Sequence, residues 1–100
     1  NLEPFRPTHP GEVLKDELEY REISQKQLAA EMGISYTLLN EVLNGKRQVN
    51  TELALLVEAA LDIPAESLLQ MQARYNMLTA KRNKSFMEKL QNVRKIVAAL

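Results

Sequence analysis

The sequence predicts an all-α protein of five helices with a sixth added at the C-terminus. Two observations carry this expectation. Apolar residues recur at helical spacing along most of the chain. Residues able to cap a helix stand just ahead of those stripes, at Ser24, Ser35, Asn50 and Ser85. Composition fits one folded domain, since 45% of the 100 residues are apolar and 26% charged, away from the range of disordered chains.

Residues 1–8 carry two prolines and no period, and are expected as an extended arm. The chain opens on Asn1, so a few residues, including the initiator, are expected ahead of it. Pro10 suits the first position of a helix, with Glu12 in a first turn whose dipole favours an acid. That helix should end near Arg21 and bury Val13, Leu14 and Leu18. His9 is the only histidine, and the chain has no cysteine to share a metal with it, so a capping or surface role is expected.

The stretch Ser24–Gly45 organises the rest. Ser24 and Gln27 have the spacing of a capping box, in which each side chain satisfies an open amide of the first turn. Leu28, Ala29 and Met32 form an apolar stripe, and Gly33 stands where a helix end needs a left-handed residue. Ser35 can cap a third helix running from about Tyr36 to Leu43 and stopping at Asn44-Gly45. Leu39, Val42 and Leu43 fall on its inner side, while Tyr36, Thr37, Asn40, Glu41 and Asn44 fall outside. This is the layout of a helix-turn-helix.

A loop at residues 46–49 follows, and Asn50 caps a fourth helix that should turn Leu53, Leu56, Val57 and Ala60 inward. Asp62-Ile63-Pro64 breaks the chain before a fifth helix from about Ala65 to Thr79, which carries Leu68, Leu69, Gln72, Tyr75, Asn76 and Leu78. Residues 80–84 read as a short basic link. Ser85 and Glu88 are spaced as a second capping box, opening a last helix. Its Phe86, Leu90, Val93, Val97 and Leu100 share one stripe, either protomer core or a two-fold interface. Residues 9–80 therefore form the domain, and residues 81–100 a basic link with an amphipathic helix.

The formal net charge is zero, yet residues 73–100 hold seven cations against Glu88 alone. Polarity between surfaces governs association more than the sum does. The absence of cysteine removes disulfides and thiolate chemistry. No paired-acid, nucleophile, phosphate-loop or dinucleotide pattern is present, so no catalytic, cofactor or metal residue is expected. No apolar run reaches the length of a membrane span and no signal peptide is apparent, so the expected location is the cytoplasm.

The outer face of the third helix points to DNA. The major groove admits one helix, and its base edges are read by short amide, hydroxyl or carboxylate side chains. Asn40 can pair with adenine, Glu41 can accept from a cytosine amino group, and Thr37 can touch a thymine methyl. Gln25, Tyr36, Asn44, Lys46 and Arg47 are placed to reach phosphates, which set register rather than sequence. Few phosphates are neutralised by one copy, so a homodimer on two half-sites is expected. Phe86, Leu90, Val93 and Val97 are the candidate interface.

Gln25-x-x-Leu28-Ala29-x-x-x-Gly33-Ile34-Ser35, then Leu39, Val42 and Asn44-Gly45-Lys46-Arg47, resembles the Cro/phage-repressor (XRE-type) helix-turn-helix. With His9-Pro10-Gly11-Glu12-Val13-Leu14 and Leu61-Asp62-Ile63-Pro64-Ala65-Glu66-Ser67-Leu68, the chain resembles the HigA (VapI-like) antitoxins from about His9 to Ala80. That resemblance implies a lambda-repressor-like domain and the antitoxin of a HigB–HigA type II module. Such a protein neutralises a HigB-like mRNA-cleaving toxin and represses its own operon on double-stranded operator DNA. The alternative is a stand-alone helix-turn-helix repressor with no toxin partner.

Overall fold

The computed structural model describes residues 7–100, so most of the expected N-terminal arm lies outside the described residues. Six helices follow one another: α1 (Pro10–Arg21), α2 (Gln25–Met32), α3 (Tyr36–Leu43), α4 (Thr51–Leu61), α5 (Ala65–Lys81) and α6 (Lys84–Ala98). Among the described residues there is no strand.

Local chemistry sets the helix ends. The Ser24, Ser35 and Asn50 side chains accept from the amides of Gln27, Leu38 and Leu53 at 3.0, 3.0 and 2.9 Å. Gly33, at φ 71°, closes α2 in the left-handed region, and Glu22 and Asp62 do the same for α1 and α4 at φ 57° and 60°. Three expectations are corrected at the caps. The Gln27 amide does not return to Ser24 but turns along the helix to Glu31 (3.4 Å), which leaves a one-sided cap. The last helix is capped by Asn83 rather than Ser85, because Asn83 Oδ1 accepts from the Phe86 amide at 3.0 Å, with the Ser85 hydroxyl donating to that oxygen at 3.1 Å. The expected five-residue basic link therefore shrinks to Arg82 and Asn83.

One core unites the first five helices. It is built from Leu14 and Leu18 of α1, Leu28, Ala29 and Met32 of α2, and Leu39, Val42 and Leu43 of α3. Val49, Leu53, Ala54, Val57, Leu61, Ala65 and Leu68 complete it. Val13 is not in it: α1 turns Pro10, Gly11, Leu14 and Leu18 inward, and Val13 is exposed. Ala60 is likewise exposed, its expected place on α4 taken by Ala54 and Leu61.

Gly11 explains the α1 rotation. A Cβ there would stand 1.9 Å from the Val42 carbonyl oxygen, so α1 and α3 approach backbone to backbone. Arg21 fastens the far end of α1 by donating to the Leu61 carbonyl at 2.9 Å and to Glu17 at 2.7 Å. The sixth helix differs from the rest. It packs on α5 but buries none of its residues, and the molecule is elongated, 56 × 32 × 23 Å.

Candidate nucleic-acid interface

Helix α3 is held by its inner side and offers its outer side to solvent. Leu39, Val42 and Leu43 are 0–1% exposed, whereas Tyr36 is 50% exposed and Thr37 and Asn44 are exposed as well. Asn40 and Glu41 are half-buried, because each is engaged by a neighbour. Asn40 Nδ2 donates to Gln25 Oε1 at 3.0 Å, which ties the candidate base reader on α3 to the first residue of α2. Glu41 Oε1 accepts from Arg47 Nε at 3.0 Å and lies 2.8 Å from its Nη2.

The residues assigned from the sequence to bases and to phosphates thus occupy one face in two bonded pairs, with Thr37 and Tyr36 on the first turn of α3 and Asn44, Lys46 and Arg47 in the turn beyond it. Asn44 is further fixed. Its Nδ2 donates to the Asn40 carbonyl at 2.9 Å, and its Oδ1 accepts from Lys15 Nζ of α1 at 3.3 Å. Lys15, which its place in the sequence does not mark, brings a cation to this edge.

The loop carrying Lys46 and Arg47 is anchored by polar groups from α5. Gln72 is 4% exposed, and its Oε1 accepts from the Val49 amide at 2.8 Å. Gln72 Nε2 donates to Asn76 Oδ1 at 3.0 Å, and Asn76 Nδ2 donates to Gln48 Oε1 at 3.1 Å. A buried amide left unpaired is costly, so this chain of bonds holds the loop in one conformation. The signal was present in the sequence as Gln72 and Asn76, four residues apart on the stripe begun by Leu68.

His9 supports the same loop from beneath. It is 2% exposed, its Nδ1 accepts from the Gly11 amide at 2.8 Å, and its own amide donates to Glu12 at 3.4 Å. Its ring meets Tyr75 edge-on at 4.9 Å and lies under Gly45, whose φ of 76° lets the chain leave α3. Burial pulls the imidazole below its ordinary value; the Glu12 carboxylate and a backbone hydrogen bond with Arg47 act in the opposite direction. The ring is therefore neutral, a cap and a packing piece. No group of acids and histidines among the described residues could hold a metal ion, and no helix is long and apolar enough to cross a membrane.

The helix-turn-helix family profile matches residues 14–68. Virulence-associated protein I of Dichelobacter nodosus is 31% identical over 77 residues, covering 76% of this chain and 71% of the relative. An addiction module antidote protein of the HigA family from Coxiella burnetii superposes with a TM-score of 0.75 at 31% identity, over 85% of this chain and 95% of that one. The antitoxin HigA of Pseudomonas aeruginosa, solved with the higBA promoter, gives 0.76 at 30% identity over 84% and 94%. The five-helix core is a lambda-repressor-like domain with an extra C-terminal helix, and the chain belongs to the XRE-type helix-turn-helix family, in its HigA and VapI-like group.

Proposed function

We propose that this protein is the antitoxin of a HigB–HigA type II toxin–antitoxin module, a cytoplasmic homodimer that represses its own operon and neutralises a HigB-like ribonuclease toxin. The observation that carries the reading is the outer face of α3, a polar surface on a helix whose apolar side is locked into the core. Laid in a major groove, α3 brings Asn40 to an adenine, Glu41 to a cytosine amino group and Thr37 to a thymine methyl. Gln25, Tyr36, Asn44, Lys46 and Arg47 then reach the flanking phosphates. The Pseudomonas relative, solved with the higBA promoter, supports DNA binding by this fold.

Charge sets the stoichiometry. Each copy brings few cations to the DNA, and affinity follows the number of phosphates neutralised. Two copies related by a two-fold axis double that number and match an inverted repeat.

The test has two arms. Footprinting of the purified protein on the DNA upstream of its own gene should protect an inverted repeat. Co-expression should restore growth to cells producing a small basic ribonuclease, if one is encoded beside it. Absence of a footprint overturns the DNA assignment. A footprint without any rescued toxin leaves the stand-alone repressor as the function.

A further inference from the structure

Asn44 stands among the phosphate candidates, yet much of its side chain is already engaged. One hydrogen of Nδ2 goes to the Asn40 carbonyl at 2.9 Å, which fixes the plane of the amide. Its Oδ1 then faces α1 and accepts from Lys15 Nζ at 3.3 Å. An acceptor oxygen cannot meet a phosphate, so the side chain has a single uncharged N–H left to offer. Lys15 carries a full charge and three donors, of which one is used on Asn44 and two remain.

Helix packing explains why Lys15 arrives there. Gly11 and Lys15 lie four residues apart, on one face of α1. The missing Cβ of Gly11 lets that face close on the Val42 backbone, and one turn further the Lys15 side chain reaches the end of α3. Glu19 stands four residues beyond Lys15, at the spacing of a helical ion pair. Among the described residues Lys15 forms no such pair and spans to Asn44 instead. Its ammonium thus stands beside a neutral amide at the edge of the candidate interface.

Charge at this edge points the same way. Lys15 and Asn44 border a cleft with Glu12, Asp16, Glu19 and Leu43, three acids to one cation. Without Lys15 those carboxylates would repel a DNA backbone laid against Asn44, because like charges brought together in a complex are costly.

We infer that Lys15 is a further phosphate-contacting residue, one on α1 rather than on the helix-turn-helix, and that Asn44 positions it. The inference rests on the placement of α3 on DNA in the proposed function, and it adds a cation to each half-site. A purely structural tether between α1 and α3 would change stability but not the number of phosphates neutralised. Salt dependence separates the two.

The test is titration of operator and of unrelated DNA with the full-length chain at several salt concentrations. Lys15→Met keeps the apolar stem and removes the charge. It should weaken binding to both DNAs alike, several-fold at low salt, and make the slope shallower by about one unit per protomer. Lys15→Arg should restore the slope, which shows that the lost charge and not a lost fold is the cause. Asn44→Ala should cost less affinity in the Lys15→Met background than in the native one, since part of its effect is the placing of Lys15.

An unchanged slope for Lys15→Met, with the native chain bound to DNA, overturns this inference alone, and so does a slope that Lys15→Arg fails to restore. Additive losses overturn the positioning by Asn44. A native chain that binds no DNA at any salt concentration overturns the inference together with the proposed placement of α3.

Discussion

Arg47 reaches back from the loop after α3 to pair with Glu41 on the helix, Nη2 to Oε1 at 2.8 Å. The base-reading candidate and a phosphate-reading candidate neutralise one another before DNA arrives. The pair is well exposed, 55 and 37% for the two side chains, so it contributes at most about 1 kcal/mol to stability. Its weight falls on binding. Near phosphates the Glu41 carboxylate repels DNA unless it meets a donor such as a cytosine amino group.

Glu41→Gln should therefore tighten binding to unrelated DNA several-fold, since a carboxylate that repels phosphates is removed while the cations reaching them stay the same. Discrimination between operator and unrelated DNA should fall. Titrations at three or four salt concentrations measure both effects. Unchanged binding to unrelated DNA would mean that the Glu41 carboxylate does not face the backbone.

Arg47→Ala should weaken binding to every sequence alike and make the slope shallower by about one unit. A loss confined to one base position, with the slope intact, would assign Arg47 to a base instead.

Asn40→Ala removes a candidate adenine contact and also the donor to Gln25. Specific binding should drop on the order of 1–3 kcal/mol, with the preference relaxed at one position. Binding to an operator library reads this directly. Gln25→Ala provides the control, because it also breaks the bond between the two helices but removes a phosphate contact rather than a base contact.

Gln72→Ala leaves the Val49 amide without its acceptor and should cost about 1–3 kcal/mol. Hydrogen exchange at Val49 should accelerate before that of the core, and operator affinity should fall although residue 72 lies outside the candidate interface. Protection unchanged at Val49 would show that the loop holds its shape without α5.

The His9 shift predicts a pH dependence of fixed sign. A histidine whose folded value is lowered binds fewer protons in the native state than in the unfolded chain. Its contribution is present above the unfolded value of 6.5 and is lost as the pH falls from there through the lowered one. Melting temperatures at pH 7.5 and 5.5 should differ more for the native chain than for His9→Asn, which can still cap α1. Equal differences in the two proteins would assign the acid loss to carboxylates elsewhere.

The parts of the fold readable from the sequence were those fixed locally. Ser24, Gly33, Ser35 and Asn50 mark ends within one or two residues of themselves, so α2, α3 and the start of α4 fell where expected. At the last helix two capping candidates stood two residues apart, and the stripe behind them suited either. Of the two, the Asn83 side chain accepts from the Phe86 amide. Val13 and Ala60 are exposed for reasons that lie outside their own helices. Which side of α1 turns inward follows from the contact of Gly11 with the Val42 backbone, and no periodicity within α1 records a neighbour's carbonyl. Of the candidate interface, the composition of the outer face was legible. The pairing of Glu41 with Arg47 and the bracing by Gln72 were not, because both depend on the path of a loop.

In the proposed homodimer, repression is also tied to the amount of protein present. The two-fold pair forms by mass action, so a dilute chain lacks it and a concentrated one has it. Occupancy of an inverted repeat then rises with roughly the square of the protomer concentration while monomers predominate, rather than in simple proportion. Below the dissociation constant of the pair the promoter stays open, and above it the promoter closes over a narrow range. The threshold is set by how tightly the two copies hold one another, not by the polar face of α3.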